Sequence, residues 1–263
     1  MMAKVSDLLP PDVPQGPWAL FLDIDGTLLE HAAHPDAVVV SDRLRELLVK
    51  LELQLDGALA FITGRSIAAV DHLFRPLELR AAGLYGLEHR LVRDGPVEAA
   101  VEPADIAALA TEIATELDSV DVYIERKGPI LAIHTRAAPH LLERATQLVE
   151  QALDKLPAGY RVLAGNAGVE LMPLEAAKGA AIRRFMQTPA FRGRRPVFLG
   201  DDTSDENGFE TVNEMDGISV RIKPGGPTVA PYALAGVDEV LAWLDRLGRD
   251  GSANTAPLAA LPG

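Results

Sequence analysis

Asp23 and Asp25 follow the apolar run Trp18–Leu22 and stand directly before and after Ile24, ahead of Gly26-Thr27. On extended backbone, residues two apart point to the same side. A carboxylate pair of this kind can hold a hard cation, or divide nucleophilic and general-acid work between its members. A carboxylate that attacks a phosphate approaches another anion, so the chemistry also needs a metal ion and a lysine nearby. Three later segments supply suitable residue types. Thr63-Gly64-Arg65 follows Ala58–Ile62 and offers a hydroxyl and backbone N–H groups to phosphate oxygens. Lys178 opens a helical pattern, where it can neutralise charge. Gly200-Asp201-Asp202-Thr203-Ser204-Asp205-Glu206 follows Val197–Leu199 and puts four acids into six residues. Such a cluster repels itself unless a cation relieves it or its members cap a helix. Taken singly, each segment has a plainer reading: a turn at Asp25-Gly26, a helix cap at Thr63-Gly64, a surface lysine at Lys178. A calcium-binding loop starting at Asp23 is disfavoured, because glycine falls at its fourth position and His34 stands where the final glutamate belongs.

The segments need a scaffold that brings them together. The short apolar runs Trp18–Leu22, Ala58–Ile62, Ala81–Tyr85, Val197–Leu199 and Ile218–Val220 each end in polar or glycine-bearing turns. Helical patterns separate them, notably Ser41–Leu53, with Leu44, Leu47, Leu48 and Leu51 on one face, and Ala176–Met186. Apolar strands alternating with amphipathic helices indicate an α/β fold with a parallel sheet covered on both faces. Ligands of such sheets bind beyond the carboxyl ends of the strands, where Asp23, Thr63 and Asp201 all fall.

The middle of the chain has a different rhythm. Helical patterns at Pro103–Leu117 and Pro139–Leu153 alternate with two strand pairs, Val122–Glu125 with Ile130–Thr135 and Tyr160–Leu163 with Val169–Met172. This predicts an inserted α+β domain with an antiparallel sheet at 90–172. The core is then discontinuous, 18–89 and 173–245, and the segments 1–17 and 249–263 are expected to be flexible.

Hydrophobic residues make up 48% of the 263 and charged residues 24%, an ordinary balance for a soluble enzyme. The net charge of −13 argues against nucleic acid or an anionic membrane as partner. It also requires local cations wherever a phosphorylated substrate binds. The chain has no cysteine, which excludes disulfides, thiolate metal sites and cysteine nucleophiles. No apolar run approaches the ~20 residues of a membrane span, and no signal-peptide pattern opens the chain, so the expected setting is cytoplasmic. The pattern does not speak to oligomeric state.

In this order, DIDGT, ITGR, a helix-opening lysine and GDDTSDE resemble the haloacid-dehalogenase superfamily of phosphatases. That resemblance implies a Rossmann-like core with a cap domain inserted between the Thr63 and Lys178 motifs. It implies Asp23 as nucleophile and Asp25 as general acid and then base, with Thr63 and Lys178 holding the phosphoryl group. Gly26 and Arg65 join the substrate contacts. Mg²⁺ would lie on Asp23, the backbone carbonyl of Asp25 and Asp201, supported by Asp202 and Asp205. The insertion, with Glu125-Arg126-Lys127 and Gly165–Pro173, and the preceding Gly83–His89 are similar to trehalose-6-phosphate phosphatases. There an E-x-K pair and a later cap glutamate recognise the sugar. The matching residues are Glu125, Lys127 and Glu170, with Glu88 and His89 as further candidate contacts. Two positions depart from that pattern: Asn166 replaces a common lysine, and Ser204 a threonine. His134 reads as structural, and His31 and His34 are not expected to bind Mg²⁺, which prefers oxygen.

The resemblance implies a Mg²⁺-dependent phosphatase of trehalose 6-phosphate, a small-molecule sugar phosphate. The alternatives are a phosphatase of sucrose phosphate or glucosylglycerate phosphate, a sugar phosphomutase, and a non-catalytic sugar-phosphate sensor. The sensor is disfavoured because it has no need of both Asp23 and Asp25.

Overall fold

The computed structural model describes residues 10–12, 14, 16–31, 38–99, 105–156, 159–165, 167–223 and 225–249. Its larger sheet begins with β1 (Trp18–Leu22), buried at every position. It continues with β2 (Leu59–Ile62), β3 (Arg80–Gly83), β4 (Glu88–Arg90) and β5 (Glu98–Ala99). After the intervening unit come β10 (Arg195–Gly200), β11 (Ile218–Ile222) and β12 (Tyr232–Leu234). The spatial order is β12-β11-β10-β1-β2-β3-β4-β5. From β12 to β3 every pairing is parallel; β4 and β5 are added antiparallel. The continuous apolar runs follow from burial on both faces, as in β1 and β2, where every residue is buried. The chain leaves β1 toward β2 on one side and returns as β10 on the other, so β1 and β10 flank the point where ligands of such sheets bind.

The helices α1 (Asp42–Gln54), α2 (Ile67–Phe74), α5 (Lys178–Met186), α6 (Glu206–Glu214) and α7 (Val237–Arg249) cover this sheet, with α1 against α7 and α5 against α6. Ser41 and Ser66 cap α1 and α2 through side-chain bonds to Leu44 N and Ala69 N. Leu44, Leu47, Leu48 and Leu51 of α1 are buried, as their spacing predicts. Phe21 stacks on Phe191 with ring centres 5.3 Å apart. At one edge of this core Trp243 is fully buried, its indole N–H donating to Pro11 O at 2.9 Å. The expectation of a flexible lead-in therefore fails at Pro11 and Pro14, both buried, and Arg249 belongs to α7. Residues 1–9 and 250–263 lie outside the described residues.

A second sheet has the order β6-β7-β9-β8, all antiparallel: β6 (Tyr123–Lys127), β7 (Ile130–His134), β8 (Tyr160–Gly165) and β9 (Gly168–Pro173). The turn Gly128-Pro129 closes the first hairpin, with Gly128 at φ +56°, a conformation that suits glycine ahead of proline in a tight hairpin. Alternate residues divide the faces. Leu131, Ile133, Val169 and Leu171 pack against α3 (Asp105–Leu117) and α4 (Leu142–Leu153). The opposite face carries Glu125, Lys127, Glu170, Met172 and Arg161 and looks back toward Leu84 and Tyr85.

Two departures from the sequence expectation matter for the site. Residues 90–99, assigned to the insertion, hydrogen-bond into the large sheet through β4 and β5, a pairing too short to show a periodic signal. Also, β3 stops at Gly83 rather than Tyr85. Leu84 and Tyr85 turn into the left-handed region, at φ +49° and +57°, and donate from their N–H groups to Arg65 O and Thr63 O. Non-glycine residues rarely adopt this conformation, and the surrounding bonds impose it here.

His89 on β4 is 7% exposed, packed near Phe185 and beside the Arg184 guanidinium. Burial first, and Arg184 second, lower its pKa to about 4. The unfolded chain therefore binds a proton that the folded chain rejects between pH 6.5 and about 4, so stability falls as pH falls through that window. His89→Gln is expected to flatten this part of the pH–stability curve, by on the order of 2–3 kcal/mol in urea titrations between pH 7 and 4.5. An unchanged slope would assign the acid sensitivity elsewhere.

Candidate active site

Asp23 leaves the carboxyl end of β1, its N–H bonded to Leu199 O of β10, and is 5% exposed. Lys178, the first residue of α5, reaches it: Nζ donates to Asp23 Oδ1 at 2.8 Å and to Asp205 Oδ1 at 2.6 Å. Thr27 donates to Asp23 Oδ2 at 3.3 Å. Asp205 is fully buried in the single turn after β10. Its second oxygen accepts from Asp202 N, while Asp202 accepts from Thr203 N, so the pair forms a capping box. Thus Asp202 and Asp205 organise the turn that holds Asp201 in place.

Ligand atoms of Asp23, Asp201 and Asp205 lie within 4.8 Å of one another. Lys178 bonds Asp23 and Asp205 and the His31 imidazole bonds Asp201, so three carboxylates share one lysine and one imidazole. Burial raises the pKa of Asp23 well above the ordinary carboxylate range; Lys178 opposes this shift, and Asp205 and Asp201 add to it. Burial likewise raises Asp205 against the pull of Lys178. Lys178 moves the other way: burial disfavours its charge, but Asp205 and Asp23 outweigh that and raise its pKa. The cluster is therefore short of positive charge, and its oxygen donors suit a hard divalent cation. Gly26, at φ +77°, leaves room for the Asp201 carboxylate, because a β-carbon there would lie 1.9 Å from Asp201 Oδ2.

Asp25 points elsewhere. Arg65 grips it with two parallel bonds, Nε to Oδ2 at 2.7 Å and Nη2 to Oδ1 at 2.6 Å. Thr63 at the end of β2 is buried, and its hydroxyl accepts from Arg65 N. Opposite, on the second sheet, Lys127 Nζ donates to Glu170 Oε1 at 3.0 Å and lies 3.6 Å from Glu125 Oε2. Burial opposes the Glu125 charge, but His134 and Lys127 prevail and lower its pKa. The electrostatic influence of Glu125 reaches Arg65, so the two sheets face each other across the site. Asn166 and His34 fall outside the described residues. Asp23, Asp25, Thr63, Arg65, Lys178 and Asp201 on one side and Glu125, Lys127 and Glu170 on the other thus line this facing pair of surfaces. Glu88 and His89 do not: Glu88 accepts from Ile67 N at the start of α2, and His89 is turned into the core.

Some neighbours have partners that the sequence reading did not assign. His31 bonds Asp201 Oδ2 at 2.9 Å, which raises its pKa. His134 bonds Glu125 Oε2 at 2.9 Å and so orients a sugar-recognition candidate; the hairpin register carries the only signal for it. Tyr85 lies 5.9 Å from Lys178 Nζ, measured to its ring centre, and burial with the adjacent Glu170 carboxylate pushes its phenol well above its usual pKa. No helix among the described residues is long and apolar enough to cross a membrane.

Known proteins are similar to this chain in fold and in sequence. The chain superposes on the C-terminal domain of C. albicans trehalose-6-phosphate phosphatase with a TM-score of 0.76 at 22% identity, covering 89% of this chain and 92% of that one. It also superposes on a haloacid dehalogenase-like hydrolase from Bacteroides thetaiotaomicron, with a TM-score of 0.63 at 16% identity, covering 88% and 99%. These likenesses establish the haloacid-dehalogenase-type α/β fold. In sequence, the chain is 43% identical over 221 residues to a probable trehalose-phosphate phosphatase of Sinorhizobium fredii, covering 84% of this chain and 82% of that protein. It is 40% identical over 235 residues to the trehalose-6-phosphate phosphatase of Escherichia coli, covering 88% and 86%. The trehalose-phosphatase family model matches residues 21–238, a span from the strand that carries Asp23 to the start of α7. The chain therefore belongs to the trehalose-phosphatase family of phosphoric monoester hydrolases.

Proposed function

We propose that this chain hydrolyses trehalose 6-phosphate to trehalose and phosphate, with Asp23 as nucleophile and the second sheet unit acting as a cap over the core. The observation that carries this reading is the buried Asp23–Lys178–Asp205 cluster opposite the Glu125–Lys127–Glu170 group. Asp23 attacks phosphorus, and the bond to the sugar oxygen breaks. Asp25 delivers a proton to that oxygen, and trehalose leaves. Water then attacks the aspartyl-phosphate while Asp25 takes its proton, and Asp23 is regenerated as phosphate departs. Arg65 grips Asp25 through two bonds, and that pair must loosen for Asp25 to reach the leaving oxygen. Lys178 and Thr63 hold the phosphoryl oxygens, with Gly26 and Arg65 lining the same pocket. Glu125 and Glu170 accept hydrogen bonds from sugar hydroxyls, and Lys127 donates to them.

Asp23, the carbonyl of Asp25 and Asp201 would hold Mg²⁺, with Asp202 and Asp205 behind them. Bound there, the ion supplies charge neutralisation at the phosphoryl oxygens.

A phosphate-release screen tests this over trehalose 6-phosphate, sucrose phosphate, glucosylglycerate phosphate and glucose 6-phosphate, with Mg²⁺ and with chelator. Trehalose 6-phosphate should be preferred, and chelation should abolish release. Preference for another ester replaces the substrate; phosphate kept on a rearranged sugar identifies a phosphomutase.

A further inference from the structure

We propose that Asn207, on α6, is a positioning residue for Lys178: its side-chain oxygen completes the first turn of α5 and so fixes the cation that bonds Asp23 and Asp205. This role rests on the phosphatase reading above, in which Lys178 holds the phosphoryl oxygens, and it brings into that machinery a residue outside the acidic cluster.

A helix begins with N–H groups that have no acceptor within the helix, and the N-cap side chain ordinarily takes one of them. The N-cap of α5 is Ala177, in extended backbone, and it offers no such acceptor. Lys178 follows as the first helical residue. The missing acceptor comes from another helix: Gly179 N donates to Asn207 Oδ1 at 3.0 Å, from 28 positions away in the sequence. A cap borrowed in this way ties the start of α5 to α6 rather than to its own lead-in.

The two helices are built to meet at this point. A β-carbon on Gly179 would lie 2.3 Å from Thr211 Oγ1, 2.6 Å from Asn207 O and 2.7 Å from Asn207 Oδ1. Asn207 and Thr211 are one turn apart on α6 and face the same side, so any side chain at position 179 would push α5 off that face. On its other side α6 is seated as closely: a β-carbon on Gly208 would lie 2.4 Å from the Phe198 ring of β10, the strand that leads to Asp201.

Lys178 Nζ donates to Asp205 Oδ1 at 2.6 Å, and Asp205 stands two residues before Asn207. Adjacent residues of α5 thus hold one short stretch of chain, Lys178 by its side chain and Gly179 by its backbone. With both bonds made, Lys178 Nζ lies 2.8 Å from Asp23 Oδ1. A lysine side chain is a flexible stem, so the placement of its Nζ depends on where the helix start is held. A misplacement of about 1 Å in a site of this kind costs on the order of 10²-fold in rate.

The test measures kcat and KM for a small aryl phosphate and for the sugar phosphate that the wild type prefers, together with inhibition by inorganic phosphate. Asn207→Ala is expected to lower kcat about 10–100-fold, by the same factor on both esters, and to weaken phosphate inhibition. Asn207→Asp has nearly the same shape and still accepts from Gly179 N, so it should return kcat to within about threefold of the wild type. If Asn207→Ala does not fold, Asn207→Ser takes its place, since it draws the acceptor back from Gly179 N and should show the same equal loss. A lowered melting temperature with unchanged kcat overturns the proposal, because the cap would then serve stability alone. So does a loss confined to the sugar phosphate, or an Asn207→Asp variant no better than Asn207→Ala. Lys178→Ala separates the proposal from the reading beneath it. Retained turnover there removes Lys178 from the chemistry, and both fall; lost turnover there beside normal turnover in Asn207→Ala overturns the positioning role alone.

Discussion

Asp23→Asn is expected to lower phosphate release by at least about 10⁴-fold while the folded protein becomes slightly more stable in the presence of chelator. The substitution keeps the size of the side chain and removes the nucleophilic oxygen pair, so no aspartyl-phosphate can form. The gain in stability follows from electrostatics. Asp23 is buried, and burial raises its pKa well above that of the unfolded chain, despite the opposing pull of Lys178. The folded protein thus binds a proton that the unfolded chain releases, and stability falls as pH rises from about 4 through the folded pKa. An amide carries no such penalty. Lys178 retains Asp205 as counter-ion, so the variant leaves no bare buried cation. Thermal melts at pH 7 should place the variant about 2–4 °C above the wild type, or about 1 kcal/mol, with the difference shrinking toward pH 4. Near-normal phosphate release would remove Asp23 from the nucleophile role. A large loss of melting temperature would show that its charge is stabilising, contrary to the desolvation argument.

The catalytic edge was legible in the sequence because local chemistry and global topology coincide there. Trp18–Leu22 and Val197–Leu199 are apolar without interruption, since both lie in the middle of a parallel sheet, and each ends in aspartates that apolar burial would not tolerate. The hairpin was legible but not its register: the sequence ends the first strand at Glu125, whereas β6 runs on to Lys127 and Gly128-Pro129 alone make the turn, which carries Glu125 and Lys127 to one face. What stayed hidden depends on contacts between distant segments. Two- and three-residue strands such as β5 and β4 carry no periodicity, so residues 90–99 read as insertion although they extend the core sheet. The turn at Leu84-Tyr85 looks like a continuing strand, because its left-handed backbone comes from bonds to Thr63 and Arg65 rather than from glycine. Nothing near Arg65 announces Asp25 as its partner, 40 positions earlier. Arg161 is one arginine in an alternating strand until the pairing with Met172 fixes the face it occupies.

Lys127→Ala and Glu125→Ala are expected to separate recognition from chemistry. Each should lower kcat/KM for trehalose 6-phosphate by about 10²–10³-fold and change turnover of a small aryl phosphate by less than about threefold. The asymmetry comes from where these groups sit. They belong to the second sheet and bond one another, His134 and Glu170, while the buried Asp23, Lys178 and Asp205 cluster is built by β1, α5 and the turn after β10. An aryl phosphate has no hydroxyls to offer Glu125 or Lys127, so their loss leaves its reaction largely untouched. The sugar phosphate uses binding energy from its remote rings to orient the reacting bond, so truncation of these contacts should lower kcat as well as raise KM. Lys127→Ala should be the more damaging of the two. Burial disfavours the lysine charge, but Glu170 and Glu125 hold it and raise its pKa, so removing it leaves two carboxylates facing each other without their shared cation. Those carboxylates then repel, and their hydrogen-bonding geometry toward the sugar is lost together with the lysine. Glu125→Ala leaves the Lys127–Glu170 pair intact. Equal losses on both substrates would place these residues in the fold or the chemistry instead, and would return the sugar-recognition surface to the remaining part of the cap face.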